Sequence, residues 1–182
     1  MFRVGNCVMG VIGLVLAALI AEGAGIIDHL YPLAIASLVV VAFIIGGNTL
    51  NDYLDREVDK QAHPERPIPS GRIGAGTARN IAVAAFALSL CLAVLLGDLL
   101  SFAIVVVATA LMLAYELRTK KLGLSGNLSI ALLTGMLFLL GGAVVDNIAA
   151  TIAIAVMAML ATLGREIVKD VYGDEFDVCP IN

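Results

Sequence analysis

The chain reads as an all-α integral membrane protein, a bundle of about six transmembrane helices. Of its 182 residues, 60% are hydrophobic and only 14% charged, well below the roughly one-quarter charged share of a soluble domain. The apolar residues fall into blocks of about twenty, the length that crosses a hydrocarbon core ~30 Å thick. None of these blocks alternates with period two. Helices and closed barrels are the two structures that satisfy the backbone in lipid, and the missing alternation selects helices.

The first block runs from about Val8 to Ile27. Its short basic start resembles a secretory signal, but further spans follow at once, so it is expected to be a retained helix. The second covers Pro32–Leu54, after the turn-forming stretch EGAGIIDHLYP. The third and fourth, Thr77–Leu96 and Leu99–Leu117, are joined by GDL; the fifth and sixth, Asn127–Val145 and Ile148–Val168, by VDN. These short breaks predict hairpins of antiparallel neighbours. Two connections are longer and polar, DKQAHPERPIPSGRIGAG and ELRTKKLGLSG. No linker divides the chain, so residues 1–182 form one transmembrane domain. Cys7, Cys91 and Cys179 lack metal-type spacing and are expected to be small buried hydrophobes.

Eleven basic residues orient the bundle: Arg3, Arg56, Lys60, Arg66, Arg72, Arg79, Arg118, Lys120, Lys121, Arg165 and Lys169. All lie at the N-terminus, in the two long connections or at the end of the sixth span. The short hairpins carry Glu22, Asp28, His29, Asp98 and Asp146. By the positive-inside rule the N-terminus and both long loops are cytoplasmic. The net charge of −4 is thus divided by location, and no nucleic-acid partner is expected. Two acidic clusters fall on the cytoplasmic side, after spans two and six. Each closes a hairpin, which makes an internal duplication a possible origin of the pattern.

The first cluster lies in NTLNDYLDREVDK. At about 100° per residue, with Asn51 at zero, Asp55 lies near 40°, Asn48 near 60°, Asp59 near 80° and Asp52 near 100°. Five oxygen-bearing side chains share one face, while Arg56, Glu57 and Lys60 point elsewhere. In REIVKDVYGDEFD, Asp170, Asp174 and Asp177 fit within about 60° if the helix continues past Gly173, with Glu166 flanking. Carboxylates so arranged repel one another and need positive charge among them. Salt bridges to Arg56, Lys60 and Lys169 on a solvated helix end are one answer. The other is Mg²⁺, a hard cation held by few carboxylates and completed by substrate phosphates. Two clusters on one side, each in phase, favour a metal-bridged diphosphate site, and ionisable groups at the membrane are costly unless functional.

The basic connections supply the complement: Arg66, Arg72 and Arg79 after the first cluster, then Tyr115, Arg118, Lys120 and Lys121 in YELRTKK. Arginine forks and lysine point charges suit phosphate oxygens, although such residues also serve topology. Pro64, Pro67 and Pro69 predict a stiff extended segment, a brace or lid over the site. His63 has no second His or Cys near it and reads as a loop residue.

NDYLDREVD matches the N-D-x-x-D-x-x-x-D signature of the UbiA superfamily of intramembrane prenyltransferases, which the chain resembles over essentially its whole length. RPIPSGRI, YELRTKKLGLSGN and the second Asp-rich motif follow in that family's order. REIVKD with spaced aspartates is most similar to the archaeal geranylgeranylglyceryl phosphate geranylgeranyltransferase branch. Two departures stand out. The second motif here is D-x-x-x-D-x-x-D rather than D-x-x-D-x-x-x-D, which leaves the role of Asp174 open. The family has nine transmembrane helices, and this chain stops shortly after Asp177, so the resemblance implies a domain without its C-terminal helices.

The resemblance implies Mg²⁺ held by Asn51, Asp52, Asp55 and Asp59 and by Asp170, Asp174 and Asp177, gripping the diphosphate of geranylgeranyl diphosphate. Asp55, Asp59, Asp170, Asp174 and Lys120 would be the catalytic set. Asn48, Arg66, Arg72, Tyr115, Arg118, Lys120, Lys121 and Lys169 are the candidates for substrate contact, Lys120 favoured by the family's Tyr–Lys motif. The acceptor would be geranylgeranylglyceryl phosphate, with the isoprenoid tails among membrane lipids and helices. An aromatic acceptor, as in quinone or chlorin-tail synthesis, is the alternative within the family. CDP-alcohol phosphotransferases are disfavoured because their D-G-x-x-A-R stretch is absent. A cation transporter would carry its aspartates within spans rather than at their ends.

Overall fold

The computed structural model describes residues 3–176. Among them seven α-helices follow in order: α1 Val4–Glu22, α2 Leu30–Leu54, α3 Arg56–Ala62, α4 Ala75–Val94, α5 Leu99–Leu117, α6 Leu124–Val144 and α7 Ile148–Phe176. Short 3₁₀ turns occupy Gly23–His29 and Thr119–Lys121. No strand occurs among the described residues. All but α3 are long and apolar enough to span a bilayer. Val4–Leu54 is a helical run of 51 residues, which would reach roughly 75 Å if straight, far beyond one bilayer. It folds back instead at the 3₁₀ turn: Gly10 of α1 packs on Val40 and Ile44 of α2, and Arg3 meets the far end of α2. The run therefore makes two antiparallel crossings, and the described residues make six.

Several element bounds shift from the sequence expectation by one to three residues, and three differences are larger. The first helix begins at Val4 and stops at Glu22, where Gly23 takes a positive φ of 60°. The helix expected to end near Val168 continues to Phe176, so the second acidic motif is carried on helix through Asp174. Asp177 lies outside the described residues. The long helix expected through Asp59 is interrupted at Asp55, and α3 starts anew at Arg56.

Small residues allow the helices to approach closely, as membrane bundles require. A Cβ on Gly141 of α6 would stand 2.6 Å from both Leu14 O and Ala17 Cβ of α1. Gly13 meets Leu137 one turn away, so α1 and α6 run parallel. Ser89 Oγ donates to Val39 O at 3.1 Å between α4 and α2, and Asn147 Nδ2 donates to Ala21 O at 2.7 Å. Asp98 caps α5, accepting from Leu100 N at 2.8 Å and Ser101 N at 2.9 Å, two donors that a helix start leaves unpaired. Leu14, Ala18, Val39, Val105 and Val144 form the centre of the core. Leu38, Leu88, Val107, Met157 and Leu160 are exposed, a costly surface in water but a suitable one in lipid. Cys91 is exposed on α4 rather than buried. It is on the outward face of a span, where a thiol faces apolar surroundings without being in the core.

Between α1, α2, α5 and α6 lies a cavity of about 320 Å³. Phe43, Ile44, Met112, Leu133 and Leu137 line it, and Asn6 and Asn48 bring polar groups to its wall. Asn48 stands one turn from Asn51, and Asn6 one turn from Arg3. The cavity thus runs into the apolar body from the end of the bundle that carries the acidic motifs.

Candidate active site

The first motif divides its charges between two neighbours. On one side, Lys120 Nζ donates to Asp55 Oδ2 at 2.5 Å, and Asn51 Nδ2 donates to the Glu116 carboxylate at 3.2 and 3.3 Å. On the other, Arg3 reaches Asp52 at 3.4 Å, and Arg66 donates to both oxygens of Asp59 at 2.7 and 2.8 Å. Asp52 and Asp59 are buried. The hydrogen bond to Asp59 raises the affinity of Arg66 for its proton above the ordinary value, and the nearby Asp52 adds to it. Arg56, Glu57 and Lys60 pair outside this face, with Lys60 donating to Glu57 at 2.8 Å. That hydrogen bond holds Glu57 below the usual carboxylate range.

Helical phase thus puts Asn51 and Asp55 toward α5, and Asp52 and Asp59 toward the arginines. The backbone keeps this phase across the break, because Asp55 N still donates to Asn51 O and Asp59 N to Asp55 O, both at 2.9 Å.

The proline-rich connection is not extended. Arg66 N donates to His63 O, Ser70 N to Arg66 O and Ile73 N to Pro67 O, a series of turns. A proline φ near −65° suits a turn as well as an extended chain, and the turn form found here places Arg66 on Asp59. Arg72 folds back on this loop, bonding Ser70 Oγ at 3.1 Å and the carbonyl of Glu65. That makes it a brace of the loop itself.

The α5–α6 corner joins the two motifs. Gly123 (φ 53°) reverses the chain, and a Cβ on Gly126 would stand 2.8 Å from Thr119 O. The start of α6 therefore lies directly on the turn that carries Lys120. One residue on, Asn127 Nδ2 donates to Asp170 Oδ2 at 2.7 Å. Half-buried Tyr115 stands within Coulombic reach of Glu116, Glu166, Asp55 and Asp170, carboxylates of both helix ends. Lys169 and Arg165 bind the buried Glu166 at 2.5 and 2.8 Å. Arg118 is exposed at the end of α5. Asn48 lines the cavity, and its Nδ2 is buried with no hydrogen-bond partner.

Glu116, Arg3 and Asn127 were not singled out from the sequence as site residues. The available signal for Glu116 was its spacing: a carboxylate four residues before Lys120, at the end of an apolar helix.

Among the described residues no group of three His, Cys, Asp or Glu side chains closes on a common point. A self-sufficient metal cage is therefore not formed by them. The donors are nonetheless all hard oxygens, and an ammonium already sits between Asp55 and Glu116, where positive charge is needed. That set fits a divalent cation completed by substrate oxygens and water.

Comparison with known proteins shows the family. Residues 11–178 match the sequence profile of the UbiA prenyltransferase family. A digeranylgeranylglyceryl phosphate synthase of Methanothermobacter thermautotrophicus is 43% identical over 94% of this chain and 59% of its own length. The Methanopyrus kandleri protein of the same name is 38% identical over 94% and 62%. A solved structure from work on digeranylgeranylglyceryl phosphate synthase in membranes superposes with a TM-score of 0.86 at 31% identity. It covers 97% of this chain and 62% of the other. The chain spans about three-fifths of the length of these relatives.

Proposed function

Because the chain belongs to the UbiA prenyltransferase family, we propose that it transfers a geranylgeranyl group from geranylgeranyl diphosphate to the hydroxyl of geranylgeranylglyceryl phosphate, making the ether of an archaeal membrane lipid. The observation that carries this reading is a cation- and carboxylate-lined bundle end directly over an apolar cavity. A diphosphate with a long hydrocarbon tail has the same two parts. That these relatives are digeranylgeranylglyceryl phosphate synthases supports a glyceryl phosphate acceptor.

In this reaction the bond between the first prenyl carbon and the diphosphate oxygen breaks, and carbocation character grows on that carbon. The acceptor hydroxyl oxygen attacks there, a new C–O bond forms, and the hydroxyl proton leaves to solvent or the released pyrophosphate. Mg²⁺, when bound, supplies charge that stabilises the departing pyrophosphate. Asn51, Asp52, Asp55 and Asp59 would hold it with Asp170, Asp174 and Asp177. Lys120 bears a point charge at this end and takes the developing phosphate charge. The Asn48 amide offers its unpartnered N–H to a substrate oxygen. Phe43, Ile44, Met112 and Leu137 surround the tail and exclude water from the cation. The acidic end faces the cytoplasm in this reading, which the distribution of basic residues supports.

The test is reconstitution in lipid with Mg²⁺, radiolabelled geranylgeranyl diphosphate, and either geranylgeranylglyceryl phosphate or 4-hydroxybenzoate. Labelled ether lipid and stoichiometric pyrophosphate are expected with the glyceryl phosphate. Label on the aromatic acceptor instead overturns the acceptor, and no pyrophosphate with either overturns the transferase reading.

A further inference from the structure

Glu116 belongs to neither acidic motif, yet its side chain is only 2% exposed. A carboxylate so buried is costly unless it is paired. Two partners meet it. Asn51 Nδ2 donates to both oxygens at 3.2 and 3.3 Å, and Lys120 Nζ stands 3.6 Å from Oε2. The same ammonium lies 2.5 Å from Asp55 Oδ2. Lys120 is therefore shared between two carboxylates, one from the first motif and one from the preceding turn of its own helix end.

This sharing matters for loading the site. An ammonium against Asp55 competes with any divalent cation for the same oxygen. Were Asp55 its only partner, a cation taking that oxygen would leave a half-buried ammonium without a counter-charge. Glu116 removes the conflict, because Nζ needs to move only about 1 Å to make a full ion pair with it. The Asn51 amide fixes the carboxylate from the other side, so that it does not follow Lys120.

We propose that Glu116 is a positioning residue: it receives Lys120 when Asp55 turns from the lysine to the cation-bound diphosphate. The inference rests on the diphosphate site described above. It adds a division of labour, in which Asp55 serves the cation and Glu116 keeps the lysine beside the diphosphate.

The experiment titrates Mg²⁺ into the full chain in lipid nanodiscs at fixed inorganic pyrophosphate, read by calorimetry. Glu116→Gln keeps an oxygen for Asn51 and removes the charge that Lys120 needs. It should raise the Mg²⁺ half-saturation about tenfold, the low end of what losing an outer-shell partner costs a metal site. In a Lys120→Met background Asp55 has no competing lysine, and Glu116→Gln should then change half-saturation by under about twofold. Glu116→Asp, with its charge one methylene further back, should give a rise of about threefold. It carries the same paired test if the Gln variant does not insert. An equal rise in both backgrounds would mean that Glu116 merely supports the fold, and no rise in either would mean that it is no seat for Lys120; both overturn the proposal. Failure of the unsubstituted chain to bind Mg²⁺ and pyrophosphate overturns the diphosphate site itself, and is distinguished by needing no variant.

Discussion

Asp59 and Glu166 are buried to a similar degree, at 5% and 8% exposure, yet their counter-charges come from different places. Asp59 is answered by Arg66 across the loop that follows α3. Its neighbours in the first motif are answered from farther away, Asp52 by Arg3 and Asp55 by Lys120. Glu166 is answered by its own helix, through Arg165 and Lys169. At that end Asp170 reaches another element, α6, through the neutral amide of Asn127. The end of α2 therefore takes its geometry from the completed bundle. The end of α7 is exposed from Ile167 to Tyr172, and its ion pairing is local. Charge balance at the first end depends on four parts of the chain arriving together. At the second it depends on little more than one helix.

The largest effect should come from removing one carboxylate at each end. Asp55→Ala and Asp170→Ala are each expected to lower prenyl transfer by about a hundredfold or more, the scale set by losing one group that stabilises transition-state charge. Both variants should insert normally, because neither residue is buried. A radiolabelled transfer assay beside size-exclusion profiles checks this. Full activity in Asp170→Ala would show that the α7 end is no part of the site, and the comparison would then be one between a site and a bystander.

A middle effect concerns stability. Arg66→Ala leaves the buried Asp59 without its bidentate partner. Fully buried pairs lose ~3–5 kcal/mol when broken, but a third of the Arg66 side chain is exposed, and solvent screening lowers the figure. We expect about 2 kcal/mol, measured by unfolding in mixed micelles. A loss below about 0.5 kcal/mol would place Arg66 among ordinary surface charges.

These contrasts also mark what was legible in the sequence. The six crossings followed from block length, because a bilayer sets a minimum helix length independently of tertiary contacts. The acidic face followed from helical phase, which survives the break at Asp55 because the backbone hydrogen bonds on either side persist. What depended on distant partners was not legible. Asn51 and Glu116 lie 65 positions apart, as do Asp55 and Lys120, and Asn127 and Asp170 lie 43 apart. No local pattern encodes those meetings. Glu116 was masked further by the basic residues of YELRTKK, which read as a topology signal. The proline run differs for another reason: its fixed φ fits both a turn and an extended chain, so the run by itself does not choose between them.

The smallest effect tests the local character of the α7 end. Arg165 is 72% exposed and donates to Glu166 at 2.8 Å, while Lys169 holds the other oxygen at 2.5 Å. Removing one of two local cations leaves the carboxylate paired, and exposed ion pairs contribute at most ~1 kcal/mol. Arg165→Ala should therefore cost under about 0.5 kcal/mol in the same unfolding measurement, roughly a quarter of the Arg66→Ala loss. If the two losses were equal, counter-charge from the same helix and from a distant loop would be equivalent. The distinction between an end built by the whole bundle and one built by a single helix would then disappear.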